Sequence, residues 1–535
     1  MLVIQPHREC SMRSLASVCL LSALVLAACG GGSDPPPPPP PMSSTISPAS
    51  GTLSLQENGS GTLDFAVTVT NPRSSMVAVV DFDQPVLQQV GAIDTSVSGK
   101  YAVHLSTTPG LASGAYSGNV RLRLCTDASC ATVLSGGTQT FAYQVSVALD
   151  DWSTFQRNAA HTGYLNAQFD PAKFTLLWTW TRPAGDPEPI GGINAVATGG
   201  GHVYVTKDIY FGQGAVYALN ESDGSVAWTY ALGQMASEGP AAYAGGDVIV
   251  PSTSPGEQCV AWAIDATTGL YKYQMLTGCQ WSSYFAPTIS GGSVLQTSQA
   301  GYVYSFSQLD GSPQWSMSAG AYDQSTPAAD ASYVYQYGTA GAAALSVFDK
   351  VSGALVTTLS DPFAPGSSGY SLFSAPLVTT AGKVLSFSGG GFSGRAASSS
   401  EQYESRVLVN YDITTRAYAW RSANSYFTHP AAANGVIYAA RNAPSSLDAL
   451  SESDGHILWS WAPPAGESFH RNIVVTRNLA FVSTDAHVYA IDLGTHQQVW
   501  QIAQSGMLAI SGSGILYIAT GSTLSDGRLI AIKLQ

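Results

Sequence analysis

Side chains able to do chemistry are few in this chain of 535 residues, and they fall into small groups. Four of the seven cysteines, Cys125, Cys130, Cys259 and Cys279, lie within strand-like sequence, and an even number suits disulfide formation in an oxidising compartment. Cys125 and Cys130 bracket the turn TDAS, the arrangement of a bond that staples a hairpin, and Cys259 and Cys279 flank one strand-turn-strand as a second candidate pair. A metal site would need CxxC spacing or histidines at ligand spacing, and neither occurs. The second group is aromatic and basic. Phe285, Phe373, Phe427 and Phe469 occupy related positions in YFAPTI, LFSAPLV, YFTHPAAA and SFHRNIVV, with His429, His470 and Arg471 beside them. If they converge at one channel mouth, they offer ring faces and positive charge to an anionic or cyclic ligand. The same spacing also follows from repeated packing, with the histidines satisfied by backbone. His161, in AAHTGY, reads as structural. No GxSxG, HExxH or P-loop is present, and GGGFSGR lacks the Lys and Ser/Thr of a phosphate loop. No catalytic residue and no metal ligand is assigned.

Composition limits what can hold these groups. With 54 Gly, 29 Pro and 11% charged residues, strands and turns must dominate over helices. A net charge of -13, with 22 Lys and Arg spread along the chain, disfavours nucleic acid as a partner.

From Asp150 onward one unit recurs. VYALNESDGSVAWTY, Val216 to Tyr230, reads as a strand, an Asp223-Gly224 turn and a second strand ending near Trp228. Six further copies follow, and aligning the Trp228 position with Tyr273, Trp315, Val356, Trp420, Trp459 and Trp500 gives steps of 45, 42, 41, 64, 39 and 41 residues. A period near 42 with four strand-like runs per unit marks the blades of a propeller. The long step contains Ser388 to Ser405, read as a surface insertion. The last unit has three strands only, and KFTLLWTWTRP, with Trp178 lying 50 residues before Trp228, can supply the fourth. Closure by strands from both ends removes exposed sheet edges and brings the count to eight blades. Trp178, Trp228, Trp315, Trp420, Trp459 and Trp500 are assigned to packing between blades.

Residues 1–28 read as a leader. An arginine at 13 precedes an apolar run from Leu15 to Ala28, about 14 residues where a span needs roughly 20. Leu26-Ala27-Ala28-Cys29 resembles a bacterial lipobox, and the resemblance implies that Cys29 becomes the lipidated first residue, with translation beginning at Met1 or Met12. Gly30 after that cysteine favours, by the same resemblance, the outer membrane. Residues 29–42 form a glycine and proline tether whose seven prolines extend about 20 Å. Residues 43–149 alternate in about seven short runs, the pattern of a β-sandwich. GAYSGNVRLRLCTDASC with TFAYQVSV resembles bacterial immunoglobulin-like modules.

The phrase VYALNESDGSVAW and its copies resemble the quinoprotein-like propeller repeat, and DWSTFQRNAAHTGY, Asp151 to Tyr164, resembles the segment that opens such propellers. The fold expected is all-β: an immunoglobulin-like sandwich followed by a closed eight-bladed propeller over residues 150–535. Two functions are compatible with the resemblance. One is a non-enzymatic binding or scaffolding lipoprotein, similar to the propeller lipoprotein of the outer-membrane barrel-assembly machinery, with no cofactor and with a protein or glycan of the envelope as partner. The other is a dehydrogenase dependent on pyrroloquinoline quinone (PQQ) and calcium. The family implies adjacent cysteines for many such enzymes, and this chain has none; charged residues also look scarce on its inner strands.

Overall fold

The computed structural model describes residues 40–183, 192–256, 258–278, 282, 285–298, 301–319, 326–338, 343–364, 375–380, 382–389, 406–521 and 527–535. The leader, Cys29, most of the tether, Cys279, Phe373 and most of the 388–405 insertion lie outside them.

Alternating sequence becomes alternating burial. In Val133–Ala148, Phe141, Tyr143, Val145 and Val147 point inward, while Gln144 and Ser146 face solvent. This strand joins Ser50–Gln56, Gly114–Cys125 and Val77–Phe82 in one four-stranded sheet, with Ser50–Gln56 running parallel to it. A second sheet contains Ser43–Ser47, Thr62–Thr70, Lys100–Thr107 and Leu87–Gln89. The two sheets share one core, in which Phe65 and Phe141 stack at 4.9 Å. Cys125 and Cys130 are disulfide-bonded, with Cα atoms 5.0 Å apart. Cys259 is also disulfide-bonded.

Among the described residues beyond 150 there are eight more sheets of four strands, one with its innermost strand split in two. They are numbered here 1 to 8 in chain order. Sheets 1 to 7 run up and down from an inner to an outer strand, spanning 197–235, 237–278, 288–318, 328–360, 377–426, 431–461 and 469–502. Sheet 8 takes Met507–Ile510, Ile515–Ala519 and Arg528–Lys533 from the end of the chain, and Thr175–Thr181 from its beginning. Trp178 lies opposite Ala531, as Trp228 lies opposite Ala218.

The repeat explains the seams between sheets. Trp178 Nε1 donates to Glu221 O at 2.8 Å, Trp228 to Ala266 O at 2.9 Å, Trp315 to Lys350 O at 3.0 Å and Trp420 to Glu452 O at 2.8 Å. Each indole lies on the turn glycine of the next sheet. Gly224, Gly269, Gly353 and Gly455 all have φ between 69° and 73°, and a Cβ on any of them would come within 2.7 Å of the ring. The glycine therefore supplies both the left-handed turn and the flat surface that receives the indole. Tyr273 substitutes in sheet 2, its hydroxyl donating to Gln308 O. Trp459 instead stacks at 4.5 Å on His496, whose own φ is 59°. Trp500 has no such turn to meet and packs edge-on against Phe174 at 5.5 Å.

One alignment needs correcting. The residue of sheet 4 equivalent to Trp228 is Thr357, paired with Val347 just before the bulge, and not Val356. The turn glycine fixes this, because Gly353 precedes Thr357 by four residues as Gly311 precedes Trp315.

Candidate functional site

The innermost strands face what would be the axis of a propeller, and the chain itself lies against them there. Residues 152–163 make a circuit in the same order as the sheets. Trp152 O accepts from Thr198 N at 2.9 Å in sheet 1, and Ser153 O from Tyr243 N at 2.7 Å in sheet 2. Thr154 Oγ1 donates to Pro287 O, at the head of sheet 3. Ala159 O, Ala160 O, Thr162 O and Gly163 O then accept from Ala329 N, Val378 N, Ala432 N and Val475 N of sheets 4 to 7, at 2.7 to 2.9 Å. Gln156 adds bonds to Pro430 O and Ile473 O, and receives one from Asn472, which in turn bonds Leu508 of sheet 8. This collar gives the inner strands the partners that they would otherwise lack on the axial side. Its path is tight: Gln156, Arg157, His161 and Gly163 all have φ between 53° and 81°. A Cβ on Gly163 would lie 2.9 Å from Ile473 O, so glycine is required there.

Three rings fill the centre. Phe155 meets His429 edge-on at 5.0 Å and His161 at 6.0 Å, and the two histidines are 6.4 Å apart. Both histidines are fully buried. His161 Nδ1 donates to Pro376 O at 2.8 Å, leaving Nε2 to accept from the Thr288 hydroxyl at 3.3 Å. His429 faces two carbonyls, Pro430 O at 2.9 Å and Ala375 O at 3.1 Å. A neutral ring carries one N–H, so it can satisfy only one of them at a time. Burial, the largest influence on each, pushes the pKa of His161 down to about 4 and that of His429 down to about 3. A cavity of about 10 Å³ remains beside Trp152, Phe155 and Leu508, room for one water molecule at most.

The aromatic and basic group expected at a channel mouth is dispersed. Phe427 and His470 are brought together, edge-on at 5.8 Å. Arg471 follows in a left-handed turn with φ 69° and accepts through its carbonyl from His429 N at 2.9 Å. Phe285 is buried against Cys259, and Phe469 is buried against Trp461 at 6.2 Å between sheets 6 and 7. The burial of His429 leaves it no face for a ligand. Packing accounts for Phe285 and Phe469, and the ring of His429 is bonded to backbone carbonyls.

The collar also clamps the sandwich. Arg157 leaves the circuit to meet Glu57 in a two-pronged ion pair, with side-chain exposures of 5% and 0%. Glu57 accepts further from Asn166 N at 2.5 Å and Asp150 N at 3.3 Å. Arg477 of sheet 7 donates to Gly110 O at 3.0 Å, and Asn166 Nδ2 donates to Leu111 O at 2.9 Å. Asp151 lies in the same acidic corner. Burial first, then Glu221 and Asp150, push its pKa up to about 6.

Sequence reasoning missed a second group. Arg182, Lys207, Asp208 and Glu238 are all at most 5% exposed, around segment 192–194. Asp208 N donates to Gly192 O at 3.3 Å, Lys207 bridges Ile193, and Glu238 accepts from Ala215 N at 3.2 Å. Of the four, Glu238 lies on an innermost strand, Ser237–Glu238 of sheet 2, whereas Lys207 and Asp208 follow the second strand of sheet 1 and Arg182 follows the outer strand of sheet 8. The signal was present as Lys207-Asp208 ending an apolar strand, where buried charges need partners close by.

Among solved structures, the chain resembles BamB from Moraxella catarrhalis, with 17% identity, TM-score 0.47, and coverage of 68% of this chain and 98% of that one. It also resembles the quinohemoprotein alcohol dehydrogenase ADHIIG from Pseudomonas putida HK5, with 13% identity, TM-score 0.48, and coverage of 72% and 80%. A europium-containing methanol dehydrogenase matches at 12% identity, TM-score 0.40, with coverage of 72% and 98%. None of the curated proteins matches. The sequence profile described as "Outer membrane protein assembly factor BamB" matches residues 162–284 and 281–461, the repeats whose indoles lock one sheet to the next, and this chain belongs to that family of quinoprotein-like propellers.

Proposed function

We propose that the protein is a non-enzymatic lipoprotein of the cell envelope. Cys29 anchors it to the outer membrane, facing the periplasm or the exterior. Its sandwich is immunoglobulin-like, and its eight sheets form one closed eight-bladed propeller that binds or scaffolds a protein or glycan of the envelope. The pairing of Thr175–Thr181 with Arg528–Lys533 and the Trp178 bond to Glu221 support closure, since they tie sheet 8 to sheet 1. The family's description, an assembly factor for outer-membrane proteins, supports the location and the class of partner.

The collar is the observation that carries the non-enzymatic reading. An axial cofactor such as PQQ needs a planar space of several hundred Å³, and Phe155, His161 and His429 fill that level of the axis. The test is direct. Mature protein given PQQ and Ca²⁺ should reduce no dye with any of a panel of alcohols and sugars. Reduction that depends on both additions would establish the dehydrogenase instead. Separately, Cys29→Ser should leave unprocessed precursor, and normal processing of that variant would remove the anchor from the account.

A further inference from the structure

Where the sandwich hands the chain on to the propeller sheets, Leu149, Asp150 and Asp151 pass the turn between the first two strands of sheet 8. A Cβ on Gly512 of that turn would lie 3.1 Å from both Asp151 Oδ1 and Leu149 O, and 3.6 Å from Asp150 O, so three oxygens converge on a face that glycine leaves bare. Ser513, the next residue, donates to Glu221 Oε2 at 2.7 Å, and Tyr517 of the following strand donates to Glu221 Oε1 at 3.2 Å. Glu221 is 6% exposed. It repels Asp151, as Asp150 does, and the one cation that bears on Asp151, Arg157, is taken by Glu57. Among the described residues the Asp151 carboxylate, which keeps some contact with solvent, accepts no hydrogen bond. Ser511 supplies a separate sign. Its side chain is fully buried and its hydroxyl has no hydrogen-bond partner, an arrangement that is costly to leave unrelieved. Register sets it on the face of Tyr517, because Ala509 pairs with Tyr517 and Ile510 with Leu516. There it stands beside the Tyr517 hydroxyl, on the side of Glu221, without bonding to it.

We infer that this corner is a calcium site, with Asp151, Glu221, the Leu149 carbonyl and the Ser511 hydroxyl as protein ligands and water completing the shell. Every donor is an oxygen, which suits a hard cation and not zinc or copper, whose sites draw imidazole or thiolate. The ligands come from three separate stretches of chain, an irregular set that calcium tolerates and magnesium does not. Among the described residues no three His, Cys, Asp or Glu side chains gather as a metal site. Two carboxylates helped by a carbonyl and a hydroxyl therefore belong to the weak class of calcium sites, with a dissociation constant of about 10⁻⁴ to 10⁻³ M. Bound there, the ion offsets the repulsion between Asp151 and Glu221. It also ties the exit of the sandwich, the Glu221 turn of sheet 1 and the Gly512 turn of sheet 8 together at one point.

Titration of the mature protein with Tb³⁺, after a chelator has removed bound metal, tests this. Tyr517 and Trp178, with rings 5.8 Å apart, lie where they sensitise emission from an ion at this site. One saturable site is expected, emptied by Ca²⁺ at about 10⁻⁴ to 10⁻³ M and not by the same concentration of Mg²⁺. Asp151→Asn and Glu221→Gln, which remove charge and keep shape, should each weaken binding about tenfold or more with an unchanged circular dichroism spectrum. Gly512→Ala should weaken it by filling the bare face. Asp223→Asn, which alters an exposed carboxylate two residues from Glu221, should bind as the wild type does. The proposal fails if no saturable emission appears, if Mg²⁺ displaces Tb³⁺ as well as Ca²⁺ does, or if Asp151→Asn binds as tightly as the wild type. Equal weakening in Asp223→Asn and Asp151→Asn would also defeat it, as diffuse attraction to an acidic surface. The titration contains no PQQ, so its outcome is independent of the dehydrogenase test.

Discussion

The rim and the axis of the propeller solve the same problem by opposite means. At the rim, neighbouring sheets are joined by one device used repeatedly, an indole laid on a left-handed glycine with its N–H bonded to a carbonyl. At the axis nothing repeats: a single segment meets seven sheets in turn with a different residue each time. Repetition spreads stability over many equivalent seams, each tolerant of exceptions such as Thr357 and His496. The collar concentrates it in one irregular stretch that also holds the sandwich. Damage at the rim should therefore be local, and damage at the collar global.

The largest effect should come at the seam where sheet 8 takes its outer strand from the other end of the chain. Deleting Phe174 to Trp180 removes the outer strand of sheet 8 and the indole that reaches sheet 1, and it exposes the edge of Arg528–Lys533. The expected outcome is aggregation on expression, scored by size-exclusion chromatography; a soluble monomer with unchanged melting would break the comparison. Arg157→Ala should come next, at about 3 to 5 kcal/mol in chemical denaturation, because it leaves the Glu57 carboxylate buried and unpaired. Glu57→Gln with Arg157→Met should recover much of that loss. Equal losses in the single and double variants would mean that the pair itself, and not the orphaned carboxylate, accounts for the loss. At the rim, Trp315→Ala should cost about 3 kcal/mol by cavity formation, without altering exchange protection in sheets 6 to 8.

A further effect is on pH dependence. The buried histidines have folded pKa values below the ordinary 6.5, so the unfolded chain binds more protons as pH falls from about 6.5 toward 4 and 3. Their contribution to stability is complete above pH 6.5 and is lost below it, by about 1.4 kcal/mol per pH unit for each histidine. Asp151, whose pKa is raised to about 6, acts in the opposite direction between about pH 4 and 6 and offsets part of this slope. His429→Gln should flatten the loss between pH 6.5 and 4 by the share of one histidine, measured by urea denaturation at half-unit steps. An unchanged slope would place a protonated ring at the axis.

The same contrast explains what the sequence disclosed. The rim was legible because spacing, turn glycine and Trp recur, which sufficed for the sheet order and for the strand that Trp178 contributes. Even the misplaced Val356 followed from the loss of the aromatic marker in one copy, where the glycine alone held the register. The axis was not legible. DWSTFQRNAAHTGY has no internal periodicity, and each of its bonds to the sheets goes to a residue tens to hundreds of positions away. Phe427 and Phe469 occupy related positions in the repeat, and with His429 beside Phe427 all three looked like neighbours at a channel mouth, but register turns His429 toward the axis and Phe469 between sheets.

Native-state hydrogen exchange tests the central claim most directly. The amides of Thr198, Tyr243, Ala329, Val378, Ala432 and Val475 donate to the collar and to nothing else on the axis. If residues 152–163 fill the axis, these six amides should exchange as slowly as amides in the second strands of the same sheets, through global unfolding only. Exchange faster by about three orders of magnitude, equivalent to opening at a cost about 4 kcal/mol lower, would mean that the collar lifts away and that the axis is open to a ligand.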